Sequence, residues 1–259
     1  MNTSSNGYVL GFAITVCVIM SAALAVTANS LKETQQAAAE FDRQKNVMMA
    51  AGLVGDGDTR TRPELEKLYQ ERIREVVVDT KTGQVLGDKA PKDVAGMNKI
   101  AAQEEKKLAA AEKRAVDKAS ESRYRSVAIG KADDGKTTFI LPISGKGLWS
   151  TIYGYLALGE DAATVRGVTF YKHGETPGLG GECENPQWCA KWQGKSILTE
   201  AGALYGIEVK KGNVDPSVAV EKRHKVDGLS GATITSNGIT KFVKDDLKAF
   251  GSYLASVRK

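Results

Sequence analysis

The sequence predicts an α+β protein, with a single N-terminal transmembrane helix followed by a mostly antiparallel sheet domain with flanking helices. Three observations support this fold class. A run without charged residues, Tyr8–Thr27, lies near the N-terminus. The C-terminal segment 239–254 repeats apolar residues at helical spacing. Four apolar or alternating segments lie between Gly and Asp residues, as in an antiparallel sheet, at 124–129, 137–143, 152–158 and 165–171.

The uncharged run is long enough to cross a membrane, since about 20 residues make roughly 30 Å of helix. A cleaved signal peptide is the alternative, because the small residues at 22–25 could supply a cleavage site. No basic residue precedes the run, however, and it exceeds an ordinary signal core. We therefore predict a retained anchor. Lys32, Arg43 and Lys45 follow it and weakly favour a cytoplasmic domain, although long domains are often exported whatever their charge.

Between the anchor and the sheet, the pattern is mainly helical. A mixed apolar face predicts that the helix continues over 30–51 and ends at Gly52. Thr61–Glu64 has the sequence of a capping box with proline in the first turn, which predicts a helix over 63–74. The other predicted elements of this region are a short buried strand at 76–78 and a solvated surface helix at 97–122.

Several shorter elements are predicted after the four strands. Asn185–Trp192 should form a helix with Pro186 at its first position. The closing amphipathic helix should begin near Ser236, with Ser236 or Thr235 as its N-cap. Two further strands are expected at 207–210 and 218–220.

Composition argues against two classes of function. The net charge of +5 is spread along 259 residues without a stripe of Lys and Arg interleaved with aromatic residues, so we do not expect nucleic acid as a partner. Two histidines and three scattered cysteines offer no metal-binding spacing. No GxGxxG sequence is present, and hence no dinucleotide site is predicted.

The stretch Asp227–Gly238 combines hydroxyl side chains with small residues. Small side chains let a bulky partner approach the backbone closely. Because a helix should begin here, its free amides would favour a phosphate group. On the local pattern alone, a capped helix after a glycine turn is the simpler interpretation. The hydroxyl residues are Ser230, Thr233, Thr235 and Ser236, and the small ones are Gly231, Ala232 and Gly238.

Two other segments carry a ligand-binding pattern. Glu175–Gly181 contains one proline, which fixes a φ angle, and three glycines, which permit close backbone approach. Such a loop suits a flat ligand, but it could equally be an ordinary glycine-rich turn. Gly145–Trp149 joins two predicted strands, where a plain hairpin loop is the alternative.

Asp227-x-x-Ser-Gly-Ala-Thr233 resembles the covalent flavinylation motif of the FMN-binding domain in bacterial sodium-pumping NADH:quinone reductases and related Rnf complexes. His173–Gly181 and Gly145–Trp149 also resemble that family, in the expected order. With the apolar anchor and the Arg43–Asn46 run, the likeness covers nearly the whole chain and is closest to the C subunits of the sodium-pumping complexes. It implies that a flavin transferase joins the FMN phosphate to Thr233 as a phosphoester.

The resemblance also implies the cofactor-binding residues. Leu179 would lie against the isoalloxazine ring, Glu175 and Thr176 would border it, and Trp149 would lie beside it. His173 would be structural. The full implied set is Trp149, Glu175, Thr176, Gly178, Leu179, Gly180, Ser230, Gly231, Ala232, Thr235 and Ser236, with no catalytic acid or base and no metal ligand.

The implied function is electron transfer as one subunit of a membrane sodium-pumping NADH:quinone oxidoreductase, with no catalysis by the chain alone. The partners would be the other integral-membrane and flavin subunits, the flavin transferase during maturation and membrane lipid. The family places the chain in the bacterial inner membrane with its large domain in the periplasm. Expected boundaries are 1–29 for the anchor, 30–122 for a helical or α+β region and 123–259 for the FMN-binding domain.

Three alternatives remain open from the sequence alone. One is the equivalent flavin subunit of an Rnf-type complex. Another is a membrane-anchored module that binds or senses flavin outside any pump, and the third is a structural anchor that carries no flavin.

A periplasmic location would also allow a disulfide between Cys183 and Cys189. If Asn185 caps a helix that begins at Pro186, Cys189 lies in the first turn and Cys183 just before the cap. We predict this bridge, with two unpaired thiols as the alternative.

Overall fold

The structure is a computed structural model that describes residues 6–55, 57–87, 91–113, 115, 117, 121–131 and 134–258. The chain divides into two compact units, with the boundary between Arg43 and Gln44. Helix α1, Asn6–Ala50, contains an 18-residue window that is long and apolar enough to span a membrane. No part of that window is buried, as expected for a segment whose solvent is lipid. The predicted helical continuation is confirmed, and Gly52 follows it with φ 76°.

The second unit is built on a five-stranded antiparallel sheet whose strands lie side by side in chain order. The four predicted strands and the segment 76–78 all lie in it. Neighbouring strands are consecutive in sequence: short connections join the last four strands, whereas a long connection that contains a helix joins the first two. The strands are β1 Ile73–Asp79, β2 Tyr124–Lys131, β3 Thr137–Lys146, β4 Thr151–Leu158 and β5 Val165–Lys172.

The remaining elements surround this sheet. The capping box is present, with the Thr61 amide donating to Glu64 Oε2 at 2.6 Å. Asn185 caps its helix by accepting from the Gln187 amide at 2.9 Å. The helices are α2 Arg62–Arg72, α3 Pro91–Ala111, α4 Pro186–Ala190, α5 Ala219–His224, α6 Thr233–Ala249 and α7 Gly251–Val257, with a 3₁₀ helix at Gly180–Glu184. A small parallel pair is formed by β6 Glu208–Val209 and β7 Lys225–Val226.

Both faces of the large sheet are covered. Helix α6 packs on one face, where alternate strand residues such as Leu141, Ile143 and Leu156 join Phe242 and Leu247 in one core. The last turns of α1 contact β5, where the Thr169 hydroxyl donates to the Asn46 carbonyl at 3.3 Å. A Cβ atom on Gly167 would collide with the Ala50 carbonyl, which shows how closely the two backbones approach.

Three predicted boundaries are wrong. Helix α3 spans Pro91–Ala111 and not 97–122, because Pro91 suits a first helical position and Lys113 has the left-handed φ of 53° that ends helices. The segment 218–220 is not a strand, since α5 starts there and Lys222 donates to the Val218 carbonyl. The closing helix is two helices, α6 and α7, which meet at Phe250.

The start of α6 is also three residues earlier than expected. The helix begins at Thr233, after Gly231 at φ 69°, and Ala232 is its N-cap. Thr235 and Ser236 are therefore inside the helix, where they are only 1% and 3% exposed. The hydroxyl side chains that looked like caps make hydrogen bonds to other loops instead.

We predict that Asp246→Ala lowers the free energy of unfolding by about 3 kcal/mol, because removing one member of a buried ion pair leaves the other charge uncompensated. Asp246 joins α6 to the sheet by accepting from Arg125 Nη1 at 2.5 Å and from the Ser144 amide at 2.8 Å. Urea unfolding of the detergent-solubilised protein measures the change.

The neighbouring Asp245 is the matched control. It is exposed and pairs along the helix with Lys241 at 2.6 Å. Asp245→Ala should cost no more than about 0.5 kcal/mol. Equal losses in the two variants would contradict the assigned role of Asp246.

Candidate functional site

Three separate segments meet at the start of α6. They are the 147–150 turn between β3 and β4, the 173–181 loop after β5 and the first turn of α6. One buried side chain, Glu175 of the 173–181 loop, accepts hydrogen bonds from the other two segments. The two loops and the hydroxyl stretch selected from the sequence therefore form a single site.

The Glu175 carboxylate is surrounded by donors. It accepts from the backbone amides of Leu148, Trp149 and Ser150 at 3.1, 2.9 and 3.0 Å, and from the Thr235 hydroxyl at 2.7 Å. Burial opposes ionisation of this group, but these hydrogen bonds outweigh it and lower the pKa of Glu175 from its ordinary value of 4.5 to about 2. The carboxylate is thus a stable buried anion.

Glycines allow the three segments to pack this closely around the Glu175 carboxylate. A Cβ atom at Gly180 would lie 2.7 Å from Thr235 Oγ1 and 2.9 Å from Glu175 Oε2. A Cβ atom at Gly147 would lie 2.6 Å from Glu175 Oε1. Gly178 has φ 75°, which other residues rarely adopt, so the loop needs glycine there for a conformational reason.

Thr233 differs from the other hydroxyl residues in its accessibility. It is the first residue of α6 and is exposed, as is Ser230. Ala232 is buried, and the exposed Gly231 has φ 69°, which favours glycine, with Leu179 Cδ2 2.8 Å from its Cβ position. Thr176 is exposed and its carbonyl accepts from the amides of Leu179 and Gly181.

Apolar side chains lie exposed on the segments that meet at the start of α6. Trp149 is 68% exposed, Ile234 is 59%, Leu179 is 43% and Leu148 is 40%. Soluble surfaces seldom cluster large apolar groups in this way without a ligand or a partner. Trp149 and Leu179 were selected from the sequence, whereas Leu148 and Ile234 were not.

A cleft of about 310 Å³ includes Thr233. Its charged lining residues are Lys210 and Lys211. Lys210 is neutralised by Glu221 at 2.5 Å, while Lys211 is exposed. No sequence pattern links these lysines to Thr233, since only the fold brings the β6 segment there. The cleft also includes Gly212, Asn213, Gly228, Leu229, Ser230, Gly231, Ser236 and Asn237.

Asp227, the first residue of the stretch Asp227–Gly238, holds that stretch in place. Its carboxylate accepts from the Val214 amide at 2.7 Å and pairs with Lys191 at 2.7 Å, and its carbonyl accepts from Trp188 Nε1 at 2.8 Å. Although burial opposes it, this bonding lowers the pKa of the Asp227 carboxyl. Asp227 thus fixes the end of the segment opposite to Thr233.

The predicted disulfide is wrong in this structure. Cys183 and Cys189 are not joined by a disulfide, and Cys189 Sγ donates to the Cys183 carbonyl at 3.3 Å. Burial raises the pKa of the Cys183 thiol to about 12, so it is an inert core residue. Among the residues that the structure describes, no group of His, Cys, Asp and Glu is arranged to hold a metal ion.

Comparisons with known proteins agree with this site. The family described as FMN-binding domain matches residues 147–248, which contain all three segments. The C subunit of the Na(+)-translocating NADH-quinone reductase of Pseudomonas aeruginosa is 40% identical, over 100% of this chain and 98% of the relative. The chain belongs to the family of these C subunits. The equivalent protein of Yersinia pestis is 36% identical, over 100% of this chain and 95% of the relative.

A solved structure supports the fold of this family. The crystal structure of the C subunit from Parabacteroides distasonis has a TM-score of 0.64 and 26% identity, and the match covers 86% of this chain and 96% of that one. The predicted α+β class, with one apolar N-terminal helix and an antiparallel sheet flanked by helices, is confirmed.

The lowered pKa of Glu175 predicts an acid-sensitive contribution to stability. Because its pKa is lower in the folded chain than its ordinary value, the contribution is fully present above about pH 4.5 and is lost as the pH falls toward about 2. This pKa difference corresponds to about 3 kcal/mol of folding free energy. Urea unfolding between about pH 2 and pH 6 should therefore show a smaller pH dependence for Glu175→Gln than for the unaltered chain, and identical slopes would contradict it.

Proposed function

We propose that Thr233 carries FMN as a phosphoester and that the chain transfers electrons as the C subunit of a sodium-translocating NADH:quinone oxidoreductase. The observation that carries this proposal is the exposed Thr233, which lies between an apolar surface and a lysine-containing cleft. The family membership supports both the cofactor and the role in the complex.

Accessibility favours Thr233 over the neighbouring hydroxyl residues. Thr235 is 1% exposed and its proton is donated to Glu175, while Ser236 is 3% exposed and accepts from the Leu229 amide at 3.3 Å. Neither could be reached by a modifying enzyme without opening the helix. Ser230 is exposed but precedes the helix.

The start of α6 suits a phosphoester. Its N-cap is Ala232, which has no side-chain oxygen to accept from the first-turn amides. Helix N-termini attract anions through such amides and through the helix dipole. Lys211 lines the same cleft as Thr233 and supplies a cation. A phosphate on Thr233 would therefore provide the cap that the sequence does not supply.

The apolar residues around Thr233 suit an isoalloxazine ring. Leu179 and Trp149 offer a large apolar surface beside the attachment residue. When bound, FMN supplies the electron-transfer chemistry, while the chain's part is to tether the cofactor and orient it. Gly178 and Gly180 allow the backbone conformation and close packing of the loop that carries Leu179. Glu175 lies buried beneath this loop.

The membrane assignment rests on α1 and on the family. As a subunit, the chain has the other subunits of the complex as partners, and we further propose membrane lipid around 1–29 and a flavin transferase during maturation. We place the chain in the inner membrane with residues 30–122 and the FMN-binding domain 123–259 in the periplasm. The full-length likeness to C subunits favours this function over an Rnf-type subunit or a sensing module outside a pump.

We expect Thr233→Val to abolish covalent flavin, because valine has the same shape but no hydroxyl to esterify. Ultraviolet fluorescence of the chain in a denaturing gel detects the bound flavin, and peptide mass mapping locates it. Ser230→Ala removes another exposed hydroxyl of the motif and should keep the fluorescence. Flavin found on Thr235 or Ser236 would contradict the assignment.

The orientation of the chain is open to a separate test. Protease added to intact spheroplasts should digest the large domain, and the anchor Tyr8–Thr27 should remain in the membrane fraction. A cytoplasmic protein that stays undigested shows that the spheroplasts remained intact. Full protection of the large domain would overturn the periplasmic placement.

A further inference from the structure

We propose that Glu175 and Thr235 are positioning residues of the flavin site, which act through the residues they hold and do not touch the cofactor. This inference rests on the proposed function and refines it. The resemblance to the family implies that both residues bind the flavin, but their contacts point inward.

The 147–150 turn is held from beneath by Glu175. Three successive amides, of Leu148, Trp149 and Ser150, donate to its carboxylate. Amides that converge on one anion restrict the turn to a single backbone conformation. The side chains of Leu148 and Trp149 remain largely exposed, at 40% and 68%. Glu175 thereby fixes the backbone that carries these two exposed side chains, although it is itself buried.

The first turn of α6 is oriented by the same carboxylate. Thr235 donates to Glu175 Oε2 at 2.7 Å. Residues two apart on a helix point about 200° from each other, so an inward Thr235 directs Thr233 outward. The hydrogen bond from Thr235 to Glu175 therefore also orients the Thr233 hydroxyl, to which we propose the flavin is attached.

The Glu175 carboxylate is closed to a ligand. Glu175 is 5% exposed, and Gly147 and Gly180 pack so closely on it that neither could carry a methyl group. The Ser150 hydroxyl adds a link across the site, since it accepts from the Gly174 amide at 2.6 Å. At 5% exposure, the Glu175 side chain offers almost no surface that a flavin ring could contact.

Four variants test the proposal in the full chain, expressed in membranes with its partner subunits and a flavin transferase. They are Glu175→Gln, Thr235→Val, Thr235→Ser and the control Glu182→Gln. Glu182 lies just after the 173–181 loop, in the 3₁₀ helix, and is half-buried, but its carboxylate accepts from the Asn185 side chain at 3.0 Å and not from the 147–150 turn or α6. Flavin content is followed in time by in-gel fluorescence, and the flavin reduction potential by redox titration.

We expect Glu175→Gln and Thr235→Val to slow flavin attachment by at least about tenfold, since each loses a hydrogen bond to a charged group. Thr235→Ser keeps the hydroxyl and should restore the rate to within about twofold. In Glu175→Gln the potential of whatever flavin is attached should shift upward, because a nearby negative charge disfavours an added electron. Glu182→Gln should leave both quantities unchanged.

Several results would overturn the proposal. Unchanged rates and potentials in Glu175→Gln and Thr235→Val would show that the contacts do not position the site. An equal loss in Thr235→Ser and Thr235→Val would show that the hydroxyl is not the cause. If Glu175→Gln does not fold, as judged by thermal unfolding, the two Thr235 variants decide the question. Absence of flavin from the unaltered chain would instead refute the proposed function.

Discussion

A single buried anion organises the site. The Glu175 carboxylate costs free energy to bury, and that cost is offset only because amides of three consecutive residues and the Thr235 hydroxyl donate to it. These donors come from segments far from Glu175 in the chain, so the anion is satisfied only when the fold has brought them together. Folding of the sheet, closure of the two loops and the start of α6 are thereby coupled.

The attachment motif and the helix turn after it divide into inward and outward residues. Asp227, Leu229, Ala232, Thr235 and Ser236 face the protein or bond to it, while Ser230, Gly231 and Thr233 face outward. Helical spacing after Thr233 and the left-handed Gly231 before it produce this division. Most of the motif therefore serves to hold the segment in place, while the hydroxyls of Ser230 and Thr233 face outward.

Much of the fold could be predicted because its signals are local. Alternation predicts the four strands, and short motifs predict the Thr61 capping box and the Asn185 cap. The errors lie where tertiary contacts override local preference. Thr235 and Ser236 resemble N-caps, but the Thr235 hydroxyl donates to Glu175 and the Ser236 hydroxyl accepts from the Leu229 amide. Neither side chain caps the helix, and α6 begins earlier. The site residues Lys210 and Lys211 have no local signal at all, because only the position of the β6 segment brings them to Thr233.

The shape of the site explains why a covalent bond would be useful. Ligand pockets usually bury about 70–90% of a bound molecule. Here Trp149 and Leu179 are 68% and 43% exposed, so the apolar surface beside Thr233 is open to solvent. Such a surface could hold a flavin only weakly by contact, because affinity depends on well-buried anchoring contacts. An ester to Thr233 would remove that requirement and leave the ring open to redox partners, so that retention would depend on the bond and orientation on the loops held by Glu175.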